Sequence, residues 1–143
     1  NSKFANNMTI NVKEKIKNNL KNATVVISTT PSKRPLIFEE DIASGVLINA
    51  IGADAPGKQE LDHNLIKRSL IVVDDHEQAI HSGEINTAIT SGNINKKSIY
   101  ACMGELIYKK NFDKFNVTKV FDSTGLAIQD LALAGFVLKE KAL

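Results

Sequence analysis

Four short apolar runs punctuate this chain: 24–30 (Thr-Val-Val-Ile-Ser-Thr-Thr), 46–52 (Val-Leu-Ile-Asn-Ala-Ile-Gly), 70–74 (Leu-Ile-Val-Val-Asp) and 117–122 (Val-Thr-Lys-Val-Phe-Asp). They are rich in β-branched residues, too short for helices, and mostly continuous in their hydrophobicity, which is the pattern of strands buried on both faces. Between them the spacing predicts helices over 61–69, from an Asp75 cap to Ser82 with Gly83 closing, over 99–108, and from Gly125 to the end. Smaller features are a short strand at 8–12, a polar helix at 13–22 with Ile16 and Leu20 on one face, and a helical turn at 38–42 ended by Gly45. Strands alternating with helices specify an α/β domain built on a mostly parallel sheet covered on both faces. The 143 residues suffice for one domain and one core.

Charge and cysteine content narrow the partners. A net charge of +2, with lysines scattered along the chain, argues against a nucleic-acid or membrane-surface partner. No apolar run approaches the ~18 residues of a membrane span. Cys102 is the only cysteine, so no internal disulfide is possible, and a reducing, cytoplasmic setting is expected. Cys102 falls in the stretch read as helical and is expected to be buried and inert. His63, His76 and His81 lack ligand spacing, and Asp74-Asp75-His76-Glu77 reads as a strand end plus a helix cap, so no metal site is expected. The chain begins with Asn1 rather than methionine; it reads as a processed, truncated or partial sequence. The stretch 108–116 is the expected mobile loop.

The polar residues cluster where the strands end. Ser28, Thr29 and Thr30 close the first run, Gly52, Ala53 and Asp54 the second, Asp74 and Asp75 the third, and Asp122, Ser123 and Thr124 the fourth. In a parallel sheet these positions share one edge, and in open α/β sheets ligands bind at that edge. Small hydroxyls, glycines and carboxylates there suit a nucleotide or an amino acid, although caps and turns need the same residue types. The final helix is read as starting at Gly125, right after Ser123 and Thr124, and its first-turn amides are expected to be free donors for an anion.

One loop is more specific than the rest: Gly52-Ala53-Asp54-Ala55-Pro56-Gly57-Lys58-Gln59-Glu60-Leu61. It resembles the ornithine cyclodeaminase/mu-crystallin family, with its alanine dehydrogenase and imine reductase relatives. Four further segments carry the resemblance in the family's order: 23–32, 72–79, Gly83-Glu84-Ile85, and Phe121-Asp122-Ser123-Thr124-Gly125-Leu126-Ala127-Ile128-Gln129-Asp130-Leu131-Ala132. Together they span residues 23 to 134.

The resemblance implies a partial, doubly wound Rossmann-type sheet with a C-terminal helix, in which 1–143 is the C-terminal part of an NAD- or NADP-binding domain. Its last helix, about 125–143, would lead towards a dimerisation domain. It implies that Asp54 is the catalytic carboxylate that handles the substrate amino group and water; a carboxylate can act as acid or base if apolar surroundings bring its pKa towards working pH. Ile51, Gly52 and Ala53 would form the backbone beside the nicotinamide, Thr30 and Ser123 would contact the cofactor, and Thr124 the substrate. The family's Gly-rich phosphate turn, its first two Rossmann strands and the preceding half have no counterpart here. Lys119 stands where the family usually has a small hydroxyl residue, and Tyr108-Lys109-Lys110 replaces a glycine-bearing turn. Cofactor binding and turnover by this chain alone are therefore not expected. The implied partners are an amino-acid or imine substrate and either self-association or a missing N-terminal portion. The implied function is an NAD(P)-dependent cyclodeaminase, amino-acid dehydrogenase or imine reductase; the alternative is a non-catalytic mu-crystallin-like binding protein or a gene remnant.

Overall fold

The computed structural model describes residues 9–109 and 116–141. Its strands are β1 (Val25–Ser28), β2 (Lys33–Ile37), β3 (Leu47–Ala50), β4 (Gln59–Leu61), β5 (Leu70–Val73), β6 (Ile99–Cys102) and β7 (Lys119–Asp122). Its helices are α1 (His63–Arg68), α2 (His76–Ser82), α3 (Asn86–Thr90), α4 (Met103–Lys109) and α5 (Ala127–Lys141). Five strands form one sheet in the order β1-β3-β7-β5-β6, and every pairing in it is parallel. The α/β class and the parallel sheet are thus as the apolar runs require.

Register explains the core. Val26, Ile48, Val120 and Ile71 stand side by side across four strands. All four are buried, and they share one cluster with Leu65 and Ile66 of α1, Ala79 of α2 and Ala88 of α3. Burying one such aliphatic side chain contributes roughly 1.5–3 kcal/mol, so this row and its helices are the main drive for folding. The alternate positions on β1 meet no such cover: Val25 is 52% exposed and Ile27 63%.

Several expectations need correcting. Residues 9–12 are exposed and form no strand, and 13–22 make turns rather than a helix; Met8 and residues 110–115, within the expected strand and loop, lie outside the described residues. A second, two-stranded parallel sheet, β2 with β4, was not foreseen. Pro35 lies inside β2, where the sheet tolerates it because β2 is an edge and needs no donor on its free side. The stretch 99–108 is not one helix but strand β6 followed by α4. Cys102 therefore ends a strand, is half-buried rather than buried, and places its thiol 2.9 Å from the carbonyl of Asp74.

Candidate functional site

Two residues beyond the Val26 row stand Ser28, Ala50, Asp122, Val73 and Cys102, the last residues of all five strands. Parallel pairing thus brings every strand end to one edge. The ladder runs one residue further, with the Ile51 amide donating to Ser28 O at 2.9 Å and the Ser123 amide to Ala50 O at 3.1 Å. Thr30, Ile51, Gly52, Ser123 and Thr124 consequently share a rim, Ile51 exposed and the others half-buried, with Ala53 buried beneath.

Gly52 is required by space. A Cβ there would overlap the Thr30 carbonyl and the Glu60 carboxylate. That carboxylate is fully buried and joins the two loops: the Thr30 amide donates to its Oε1 at 2.6 Å and the Gly52 amide to its Oε2 at 3.0 Å. The same device recurs twice beneath the rim. The amides of Glu60 and Leu61 donate to the Glu84 carboxylate at 2.6 to 3.0 Å. The amides of Glu84 and Ile85 donate to Asp122 at 2.9 and 3.1 Å. Gly83 lets Asp122 in, since a Cβ at Gly83 would lie 2.6 Å from Asp122 Oδ1. Gly83 does follow α2, but with φ −75° and an extended backbone, so space rather than a left-handed turn calls for glycine there. Burial pushes the Glu84 carboxyl up to about 8 and the Asp122 carboxyl up to about 7, with the clamping amides pulling the other way.

Asp74 organises the other side of the rim. Its Oδ2 accepts from Ser123 Oγ at 3.0 Å and from the amides of Thr124 and Gly125, each at 2.9 Å. Of the amides expected to be free, that of Gly125 is thus taken by a carboxylate of the chain itself and that of Leu126 by Gln129 Oε1 at 3.3 Å, and α5 begins only at Ala127. Asp75 caps α2 through the Gln78 amide, as its position predicts.

Asp54 stands apart from this buried network. Its side chain is 61% exposed and pairs with Lys58, four residues on. The turn between them, Ala55-Pro56-Gly57-Lys58, is closed by the Lys58 amide on Ala55 O at 3.2 Å, with Gly57 at φ +79°. Buried Asn86 holds that turn from below, accepting from the Gly57 amide at 3.0 Å and donating to Lys58 O at 3.1 Å. Hydrogen bonding and charge from Lys58 lower the Asp54 carboxyl below its ordinary value. Apolar surroundings that would bring its pKa towards working pH are not found: Asp54 is an ionised acceptor.

The sequence reading sets Thr30, Gly52, Ser123 and Thr124 at one sheet edge, and the parallel pairing brings them there; Asp54, two residues past Gly52, turns to Lys58. That reading passed over the roles of Glu60, Glu84 and Asn86. The available signal was a charged residue within segments otherwise committed to burial, Gln59-Glu60-Leu61 and Gly83-Glu84-Ile85.

A profile described as the ornithine cyclodeaminase/mu-crystallin family matches residues 1–143. The chain is 50% identical over 115 residues to alanine dehydrogenase of Archaeoglobus fulgidus, covering 79% of this chain and 36% of that protein. It is 35% identical over 116 residues to the ketimine reductase mu-crystallin of Rattus norvegicus, covering 80% of this chain and 35% of the relative. Among solved structures it superposes on an archaeal alanine dehydrogenase dimer with bound NAD, at TM-score 0.78 and 46% identity, over 84% of this chain and 39% of that one. The chain spans little more than a third of the length of these relatives. On the strength of the profile and the identities, it belongs to the ornithine cyclodeaminase/mu-crystallin family.

Proposed function

We propose that this chain carries the nicotinamide and substrate rim of an NAD(P)-dependent amino-acid dehydrogenase, imine reductase or cyclodeaminase, and that it works in an assembly supplying the phosphate-binding turn and the substrate's lysine and arginines. The observation that carries this reading is the convergence of Thr30, Gly52, Ser123 and Thr124 at the carboxyl edge of a parallel sheet, with an ionised Asp54 two residues past Gly52. The residues fit the group. Gly52 and Ala53 present backbone with little side-chain bulk, and Asp74 orients the Ser123 hydroxyl by accepting its hydrogen bond. When bound, nicotinamide would take a hydride from, or return one to, the substrate carbon bearing nitrogen. Asp54, already ionised, would pair with the cationic ammonium or iminium and accept a proton from it or from water. The closing helix would lead towards a dimerisation domain, and the setting would be cytoplasmic.

The test is a chimera in which the part of the Archaeoglobus alanine dehydrogenase preceding the matched region is fused to this chain. It should oxidise NADH in the presence of pyruvate and ammonia, whereas the chain alone should not. In the chimera Asp54→Asn should cut kcat by roughly 10²–10⁴, the usual contribution of a proton-transfer group, and leave NADH affinity nearly unchanged. Wild-type turnover by a folded Asp54→Asn chimera would end the catalytic assignment. A folded chimera that binds NADH without turnover on any amino or imino acid would favour the non-catalytic reading.

A further inference from the structure

We propose that Glu60 is a positioning residue for the rim: its buried carboxylate sets the spacing between the Thr30 and Gly52 backbones, which no other hydrogen bond among the described residues joins directly. The functional meaning of that spacing rests on the nicotinamide reading above, whereas the spacing itself does not.

Three observations carry the inference. Each carboxylate oxygen takes a different amide, Oε1 that of Thr30 at 2.6 Å and Oε2 that of Gly52 at 3.0 Å. These two residues follow different strands of the main sheet, while Glu60 belongs to β4 of the small sheet. One side chain therefore ties the small sheet to two strand ends of the large one. Glu60 is also fixed from behind, because its own amide and that of Leu61 are held by Glu84. The carboxylate cannot drift without moving its backbone. Finally, the space is fully committed, since Gly52 has no room for a Cβ between the Thr30 carbonyl and Glu60 Oε2.

The chemistry predicts how the clamp fails. An ionised carboxylate offers acceptors on both oxygens, whereas an amide offers one acceptor and one donor group. Glu60→Gln keeps the shape but sets an NH₂ against one of the two rim amides. One of those amides must then leave its partner, and a buried donor without an acceptor drives the local backbone open.

Amide hydrogen exchange by NMR on the full 143-residue chain tests this. In Glu60→Gln, exchange at Thr30 or Gly52 should accelerate about tenfold or more, while the core amides of Ile48 and Ile71 keep their protection. Gly52→Ala attacks the same clamp from the other side and should open the same two amides. Acceleration confined to them in either variant supports a local positioning role. Unchanged protection at both amides in the two variants, or equal loss across rim and core in both, would overturn it. Adding NADH to the wild-type chimera, which carries the phosphate-binding turn, as a chemical-shift probe keeps the two claims apart. Shifts at Thr30 and Gly52 would support the nicotinamide reading, shifts confined to other residues would count against that reading, and the exchange data decide the positioning role in either case.

Discussion

Asp54 and Glu60 are six residues apart and occupy opposite electrostatic settings. Asp54 faces solvent and Lys58; Glu60 faces backbone amides in the interior. Removing the ammonium should therefore act on Asp54 alone. In Lys58→Met, the Asp54 titration midpoint should rise towards its ordinary value when followed by carboxyl ¹³C NMR, and the melting temperature should change little, because a solvent-screened surface ion pair contributes little to stability. An unmoved midpoint would mean that Lys58 does not set the charge of Asp54. Asp54 and Gly52 were legible in the sequence because their loop wording is specific and because a glycine next to a strand end signals a tight approach. Glu60 was not, for a physical reason. Its partners are amides, which every residue but proline carries, so no matching residue type elsewhere in the chain betrays the contact.

The buried carboxylates connect elements. Asp122 of β7 holds the turn between α2 and α3, and Glu84 in that turn holds β4. Both titrate well above their ordinary range, at about 7 for Asp122 and about 8 for Glu84. Between about pH 4 and 8 the folded chain therefore keeps protons that the unfolded chain has already released near pH 4, and stability must fall as pH rises through that window. Tm should drop by roughly 5 °C or more from pH 5.5 to 8.5. Glu84→Gln should flatten the profile at modest cost, because Oε1 alone accepts from both Glu60 and Leu61. Asp122→Asn should destabilise at every pH, because each oxygen serves a separate amide. A Tm that rises across the window would contradict the direction of both shifts. At this scale the legible elements were the long apolar runs, β1, β3, β5 and β7. The missed strands are those whose burial leaves no long apolar run: β2 carries Pro35, β4 is three residues with a glutamate in the middle, and β6 lies in a stretch where Ile99, Met103 and Leu106 recur at helical spacing.

Across the whole molecule, apolar surface gathers along the free edge of β1 and on α5. Leu131, Phe136 and Leu138 are 68, 61 and 69% exposed, and Val25 and Ile27 stand open on the sheet. Uncovered edges and patches of this kind drive association, so the isolated chain should self-associate. Sedimentation across a wide concentration range should show this, and Leu131→Lys with Phe136→Lys should weaken it; a wild-type chain that stays monomeric throughout would count against it. The stack of carboxylates beneath the rim also bears on how such a chain can change over generations. An ordinary ion pair can be lost and regained by altering either partner. Here the acceptors are side chains and the donors belong to the main chain, so there is no second side chain to alter. A genetic screen for second-site suppressors of Asp122→Asn should return true revertants and general stabilisers, and no allele-specific partner. The interior of this sheet edge can be inherited intact or dismantled, but it offers no route for paired substitution.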